Sequence, residues 1–216
     1  MILREIQQLI GGIYDVSIAH DVYDFLVTDR GRLPQAARAN LTDEQLIVAH
    51  ESDAIGVSLY LDAALLERLQ RADPTRVLNQ ANIADYWTAL EGVSHFLYFA
   101  WNASHDRTVS LLELELQAEI DKYMGSYWLL RRQQPGRFPL ELPRLLFERT
   151  RIDPALAAGR DQLYRSASWY AAKFCRRIEQ VLRGRAADAE QQVLTELRRF
   201  YRLADARKLA HIQRGE

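Results

Sequence analysis

The sequence predicts an α+β protein, predominantly helical, with a small antiparallel sheet of about three strands near the N-terminus packed against a helical bundle. Three observations predict it. Two β-prone runs, Gln45–His50 and Ile55–Leu61, flank the polar turn Glu51-Ser52-Asp53. Residues 82–128 read as two long antiparallel helices, the first apolar around most of its circumference, and such a helix belongs inside a bundle. Beyond Pro143, Leu163, Ala167, Tyr170, Phe174, Ile178 and Leu182 recur at helical spacing and supply an amphipathic partner.

Taken in order, Leu3–Ile10 is a short helix with Leu3, Ile6 and Ile10 on one face and Gly11-Gly12 as its stop. Asp21–Thr28 (DVYDFLVT) alternates and is rich in Val, Tyr and Phe, which predicts a third, antiparallel strand. Asp29–Asn40 is a loop broken by Gly31 and Pro34. In the hairpin's second strand Ile55, Val57, Leu59 and Leu61 make a core face, leaving Gly56, Ser58 and Tyr60 on a partly open one. Asp62 caps a helix over Ala63–Arg71, ended by Ala72-Asp73-Pro74, and Thr75–Gln80 adds a helical turn. Asn82 caps the first hairpin helix, which runs to Ala103. Ser104–Thr108 is the turn, and Ser110 with Glu113 forms a capping box for the second helix. Leu145–Arg149 is a short helical piece, Asp153-Pro154 opens a helix reaching about Gly184, and Ala186–Leu209 is the last helix.

The 216 residues fit a single domain, with possible sub-lobes at 1–80 and 81–216. Arg131–Pro143, holding three of the six prolines, is the strongest internal boundary. The net charge of −1 is unevenly spread: Met1–Pro143 has 12 basic and 20 acidic residues (−8), and Arg144–Glu216 has 16 and 9 (+7). Such asymmetry fits two halves that dock on each other, or a basic surface for an acidic partner. One cysteine, Cys175, excludes an intrachain disulfide and is expected as a small core residue. The first ten residues lack the apolar core of a signal peptide, and no run is long enough to span a membrane. A cytoplasmic location follows as an expectation, and the Arg-over-Lys bias suggests a bacterial source.

The chain has no Gly-x-x-x-x-Gly-Lys phosphate loop, Gly-x-Gly-x-x-Gly fingerprint, Gly-x-Ser-x-Gly elbow or His-Glu-x-x-His, so no motif assigns catalytic residues or a family. One polar line does stand out. Glu91, His95, Tyr98 and Asn102 share a face of the first hairpin helix. In an antiparallel pair turning near residue 107, residues whose numbers sum to about 214 are level. His95 then meets Glu119, and Glu91 lies beside Lys122. Glu113, Gln117 and Asp121 are expected to point to water.

Three functions are compatible with this pattern. The first is a non-enzymatic interaction or accessory subunit with a protein partner, suggested by absent catalytic motifs, an open sheet face and complementary halves. The second needs no organic cofactor but a metal, held by Glu91, His95, Glu115 and Glu119, because facing helices of bundles build carboxylate–histidine sites. The third is nucleic-acid binding through Arg165, Arg176, Arg177, Arg198, Arg199 and Arg202, whose helices also carry Tyr164, Trp169 and Tyr201.

Overall fold

A computed structural model describes residues 2–39, 42–50, 55–148, 158–184 and 186–214, with the side chains of residues 50 and 158–160 left out. It is a predominantly helical α+β fold. The principal elements are α1 (Ile2–Tyr14), β1 (Leu26–Val27), α2 (Gln35–Arg38), β2 (Glu44–His50), β3 (Ile55–Leu61), α3 (Ala63–Arg71), α4 (Ile83–Ala103), α5 (Leu111–Gln133), α6 (Ala158–Arg183), α7 (Ala189–Tyr201) and α8 (Asp205–Gln213). The hairpin α4–α5 is central, and the sheet packs against α4. No helix among the described residues is long and apolar enough to cross a membrane.

The sheet is mixed rather than wholly antiparallel. β2 and β3 form the expected hairpin, with Glu44 opposite Leu61 and His50 opposite Ile55, but β1 pairs parallel to β3 along its other edge. Half of the predicted strand at 21–28 is instead a 3-10 turn over Val22–Phe25. The Asp21 carboxylate accepts from Tyr23 N at 3.0 Å and folds the backbone before it can extend. The turn at 51–53 lies outside the described residues, as does the Asp153-Pro154 helix start.

The second sheet face is partly open, as expected: Gly56 is exposed and Ser58 half-buried, but its Tyr60 end is covered. Asp29–Arg38, expected as a loop, folds over it as a 3-10 turn and α2, so that Leu33 and Ala37 cover Tyr60, which is 2% exposed. The Arg30 guanidinium sits 4.9 Å from the Tyr60 ring centre.

Several helix ends also differ from expectation. Gly11-Gly12 does not stop α1. The helix runs on to Tyr14 and ends at Asp15 in the left-handed region (φ 53°), with Val16 N donating to Gly11 O at 3.0 Å. A Cβ on Gly11 would lie 2.9 Å from Val16 O, so this closure requires glycine. Asn82 does not cap α4. Its buried amide instead donates to Ala72 O and Val77 O and accepts from Asn79 N, pinning the irregular connection that replaces the expected turn at 75–80. Asp62 caps α3, and Ser110 with Glu113 forms the capping box of α5, both as the sequence predicts. A π-helical turn occupies Arg144–Glu148. The predicted last helix is two, α7 and α8, separated at Leu203-Ala204.

One apolar core draws on both charge halves, from Leu3 and Ile6 through Leu90, Phe96 and Tyr123 to Phe174, Phe200 and Ile212. Direct charge pairing across the boundary is modest. Arg131 and Glu190, 3.6 Å apart, place the base in the acidic half and the acid in the basic one. A stronger tie is polar: Arg202 donates to Tyr14 O and Asp15 O at 2.9 Å each, and Arg198 to Ile13 O at 3.3 Å, so α7 closes the end of α1. Buried apolar area stabilises by about 25 cal/mol per Å², whereas an exposed ion pair contributes roughly 0–1 kcal/mol, so the core dominates this association. A chain truncated after Pro135 is therefore expected to be insoluble or molten, and the intact chain to unfold in one transition by calorimetry. Two separate transitions would show independent halves.

Candidate functional site

α4 and α5 each carry consecutive polar residues that point to opposite sides of the hairpin. Ser94 and His95 do so on α4, Asp121 and Lys122 on α5. The result is two buried polar clusters, back to back.

On the first side, β2, α4, α5 and α6 converge. His95 Nδ1 lies 3.3 Å from Glu44 Oε1, and Nε2 lies 3.7 Å from Glu115 Oε2. That second distance is too long for a hydrogen bond, and Nε2 has no hydrogen-bond partner. Lys122 Nζ lies 2.5 Å from Glu91 Oε2 and 2.7 Å from Glu119 Oε1. Tyr164 of α6 stands beside Glu115. The level pairing of α4 and α5 holds, with Glu91 on Lys122, Ser94 on Asp121 and Trp87 on Ser126. Glu119, however, does not partner His95. Its Oε1 is taken by Lys122 three residues on, along the same helix, and His95 lies between Glu44 and Glu115.

Glu44 escaped the sequence reading because it stands at the first position of a strand, where an acid reads as part of the preceding turn. The period of two was the available signal. Leu46 and Val48 follow it on alternate positions, and Leu46 packs on the main core while Ile47 faces the outer cluster. Gly92 lets the strand come close enough. A Cβ there would lie 2.9 Å from Glu44 Cγ, 3.0 Å from Leu59 Cδ1 and 3.2 Å from Leu61 Cδ2.

Burial raises the Glu44 carboxyl despite its imidazole neighbour. Burial pushes Glu115 up to about 7, and the Glu91 and Glu44 charges add to it while His95 opposes. Glu91 also suffers burial, yet the Lys122 ammonium wins and pulls it below the ordinary range. For His95, burial disfavours the charged ring, but Glu44, Glu115 and Glu91 together push it up to about 9. One imidazolium is shared among three carboxylates, so it gains from all of them while no single acid is fully compensated. Glu44, Glu91 and His95 each offer a ligand atom within 4.8 Å of the others. Ligands bonded at about 2.1 Å around a tetrahedral ion are ~3.4 Å apart, so the three side chains would have to draw together to bind one.

The second cluster corrects an expectation. Glu113, Gln117 and Asp121 do not face water; they are 5%, 0% and 1% exposed. Asp121 accepts from the Tyr14 hydroxyl, from Ser94 Oγ at 2.6 Å and from Gln117 Nε2 at 2.8 Å. Tyr98 donates to Glu113 at 3.4 Å. Lys208 of α8 is wholly buried, donates to Gln117 Oε1 at 2.8 Å, and lies 4.4 Å, 4.8 Å and 5.8 Å from the ring centres of Tyr98, Phe200 and Tyr201. These residues were missed because α7 and α8, which cover them, were read as one helix.

Among the arginine candidates, Arg165 pairs with Asp161 at 2.9 Å, Arg177 with Glu196 at 3.0 Å, and Arg198 and Arg202 close α1. Arg165, Arg176, Arg199 and Arg202 are exposed, and Arg177 and Arg198 half-buried. Cys175 is a buried core thiol, as expected.

Comparison of the chain with protein-family models, with curated proteins and with solved structures finds no match. The functional reading therefore rests on the chain's own residues.

Two expected outcomes follow. Gly92→Ala forces Glu44 and Leu59 apart and should cost roughly 1–3 kcal/mol in chemical denaturation. Gly12→Ala, with nothing within 4 Å of the added methyl, should be neutral or stabilise by about 0.5–1 kcal/mol, as for alanine in any helix. For Lys208, burial lowers the amine from 10.5 to about 7, outweighing Glu113 and Asp121. Between those values the unfolded chain binds the extra proton, so this residue makes stability rise with pH from about 7 to 10.5. Lys208→Met should flatten that rise in urea titrations. Equal pH slopes for the two proteins would show that Lys208 stays charged in the fold.

Proposed function

We propose that this protein binds a divalent transition-metal ion in the seam between β2, α4 and α5, with Glu44, Glu91 and His95 as ligands and Glu115 beside them. The observation that carries this reading is His95. The residue is 6% exposed, its Nε2 has no hydrogen-bond partner, and it stands among carboxylates that outnumber the nearby cations. Four carboxylates, Glu44, Glu91, Glu115 and Glu119, face one imidazole and one ammonium. An excess of buried negative charge is costly unless a cation compensates it.

The donor set narrows the class of ion. Imidazole with carboxylates suits manganese, iron, cobalt or zinc better than calcium, which prefers oxygen alone. Three protein ligands leave coordination positions for water or a substrate, so Lewis-acid chemistry is compatible with the set. His95 must release its proton to coordinate, and Tyr164 orients Glu115 from outside.

Compared with the sequence expectations, Glu91 and His95 are retained as ligands, Glu115 is a neighbour, Glu119 is held by Lys122, and Glu44 is added. For the interaction-subunit reading, Leu33 and Ala37 cover the Tyr60 end of the sheet face and leave only its Gly56 end exposed. Four of the six arginines of the nucleic-acid reading also make contacts within the chain.

Protein purified without an affinity tag should contain about one equivalent of metal by elemental analysis, and its melting temperature should fall with chelator and recover with added metal. Glu44→Gln and His95→Gln should each lower metal content by tenfold or more while far-UV circular dichroism is unchanged. A folded, metal-free protein whose melting ignores both metal and chelator would end this reading.

A further inference from the structure

The same cluster holds a second cation position, and the chain's own lysine fills it. Lys122 Nζ sits between Glu91 Oε2 at 2.5 Å and Glu119 Oε1 at 2.7 Å. Its side chain is 11% exposed, so the ammonium is held among carboxylates rather than in bulk water. Glu91 is shared: it belongs to the set with Glu44 and His95, and also holds Lys122. The other oxygen of Glu119 is buried and has no hydrogen-bond partner, so this position is not saturated by the lysine.

We propose that Lys122 occupies the second of two cation positions in this cluster, restricting it to one metal ion, and that removing its charge allows a pair of divalent cations to bind. The inference rests on the metal reading above. Charge counting supports it. The four carboxylates sum to −4. With Lys122 at +1, one divalent ion and a neutral ligating His95, the cluster carries −1. A second divalent ion added beside Lys122 would make it +1 and place an ammonium against a dication in a largely dry seam, which is strongly unfavourable. Without Lys122, two divalent ions bring the cluster to 0. A bridging role for Glu91 follows from its position between the two sites, as carboxylates of helical bundles bridge paired metals.

Lys122→Met is the direct variant, because it keeps the aliphatic stem and removes the charge. Both proteins are loaded with Mn2+ at pH 7.5, passed through equilibrium dialysis, and measured for metal per chain. Wild type should bind one Mn2+ and Lys122→Met two, with an electron paramagnetic resonance spectrum of exchange-coupled Mn2+ in the variant only. The double variant Lys122→Met with Glu119→Gln should return to one. If circular dichroism shows that Lys122→Met has lost its fold, Lys122→Gln is measured in its place. One Mn2+ in both wild type and the folded variant overturns this inference and leaves the metal reading intact. Two in the wild type also overturns it. Zero in both overturns the two together.

Discussion

The structure is organised by one constraint: charge placed on both sides of the central hairpin. Neighbouring residues on a helix lie about 100° apart, so Ser94 and His95 cannot share an environment, nor can Asp121 and Lys122. Both sides are nonetheless buried. Every element that covers the hairpin must therefore bring a polar partner as well as apolar area. β2 brings Glu44 and α6 brings Tyr164 on one side, while α1 brings Tyr14 and α8 brings Lys208 on the other. An unpartnered buried polar group costs roughly 1–3 kcal/mol, and a charged one more, so a wrongly docked element carries a penalty as well as a loss of packing.

This explains which parts of the fold were legible in the sequence. The hairpin helices, the β2–β3 pair, the Asp62 cap and the Ser110–Glu113 capping box depend on local spacing, and all were readable. The pairing of Glu91 with Lys122 was also readable, since it needs only the antiparallel register. What escaped depends on elements that are distant in sequence. The parallel placement of β1, the cover over Tyr60, and the burial of Gln117 and Asp121 are decided by segments from about 20 to 107 residues away, whose polar groups give no periodic signal of their own.

The candidate site was half legible for the same reason. Glu91 and His95 lie one helical turn apart and announce themselves. Glu44 is 51 residues from His95 and reaches it only because Gly92 lets β2 and β3 approach α4. Glu119 illustrates the opposite error. It lies level with His95, yet an intrahelical lysine three residues on offers a nearer and stronger charge, and the short connection wins.

The closure of α1 by Arg198 and Arg202 also bears on the order in which the chain can assemble. The Gly12–Asp15 end of the first helix has its carbonyls satisfied by guanidinium groups encoded about 185 residues later. During synthesis those carbonyls must remain in water until α7 has been made. The end of α1 is then fastened by a segment translated well after it. Such long-range closure raises contact order and slows folding relative to a bundle of sequential neighbours.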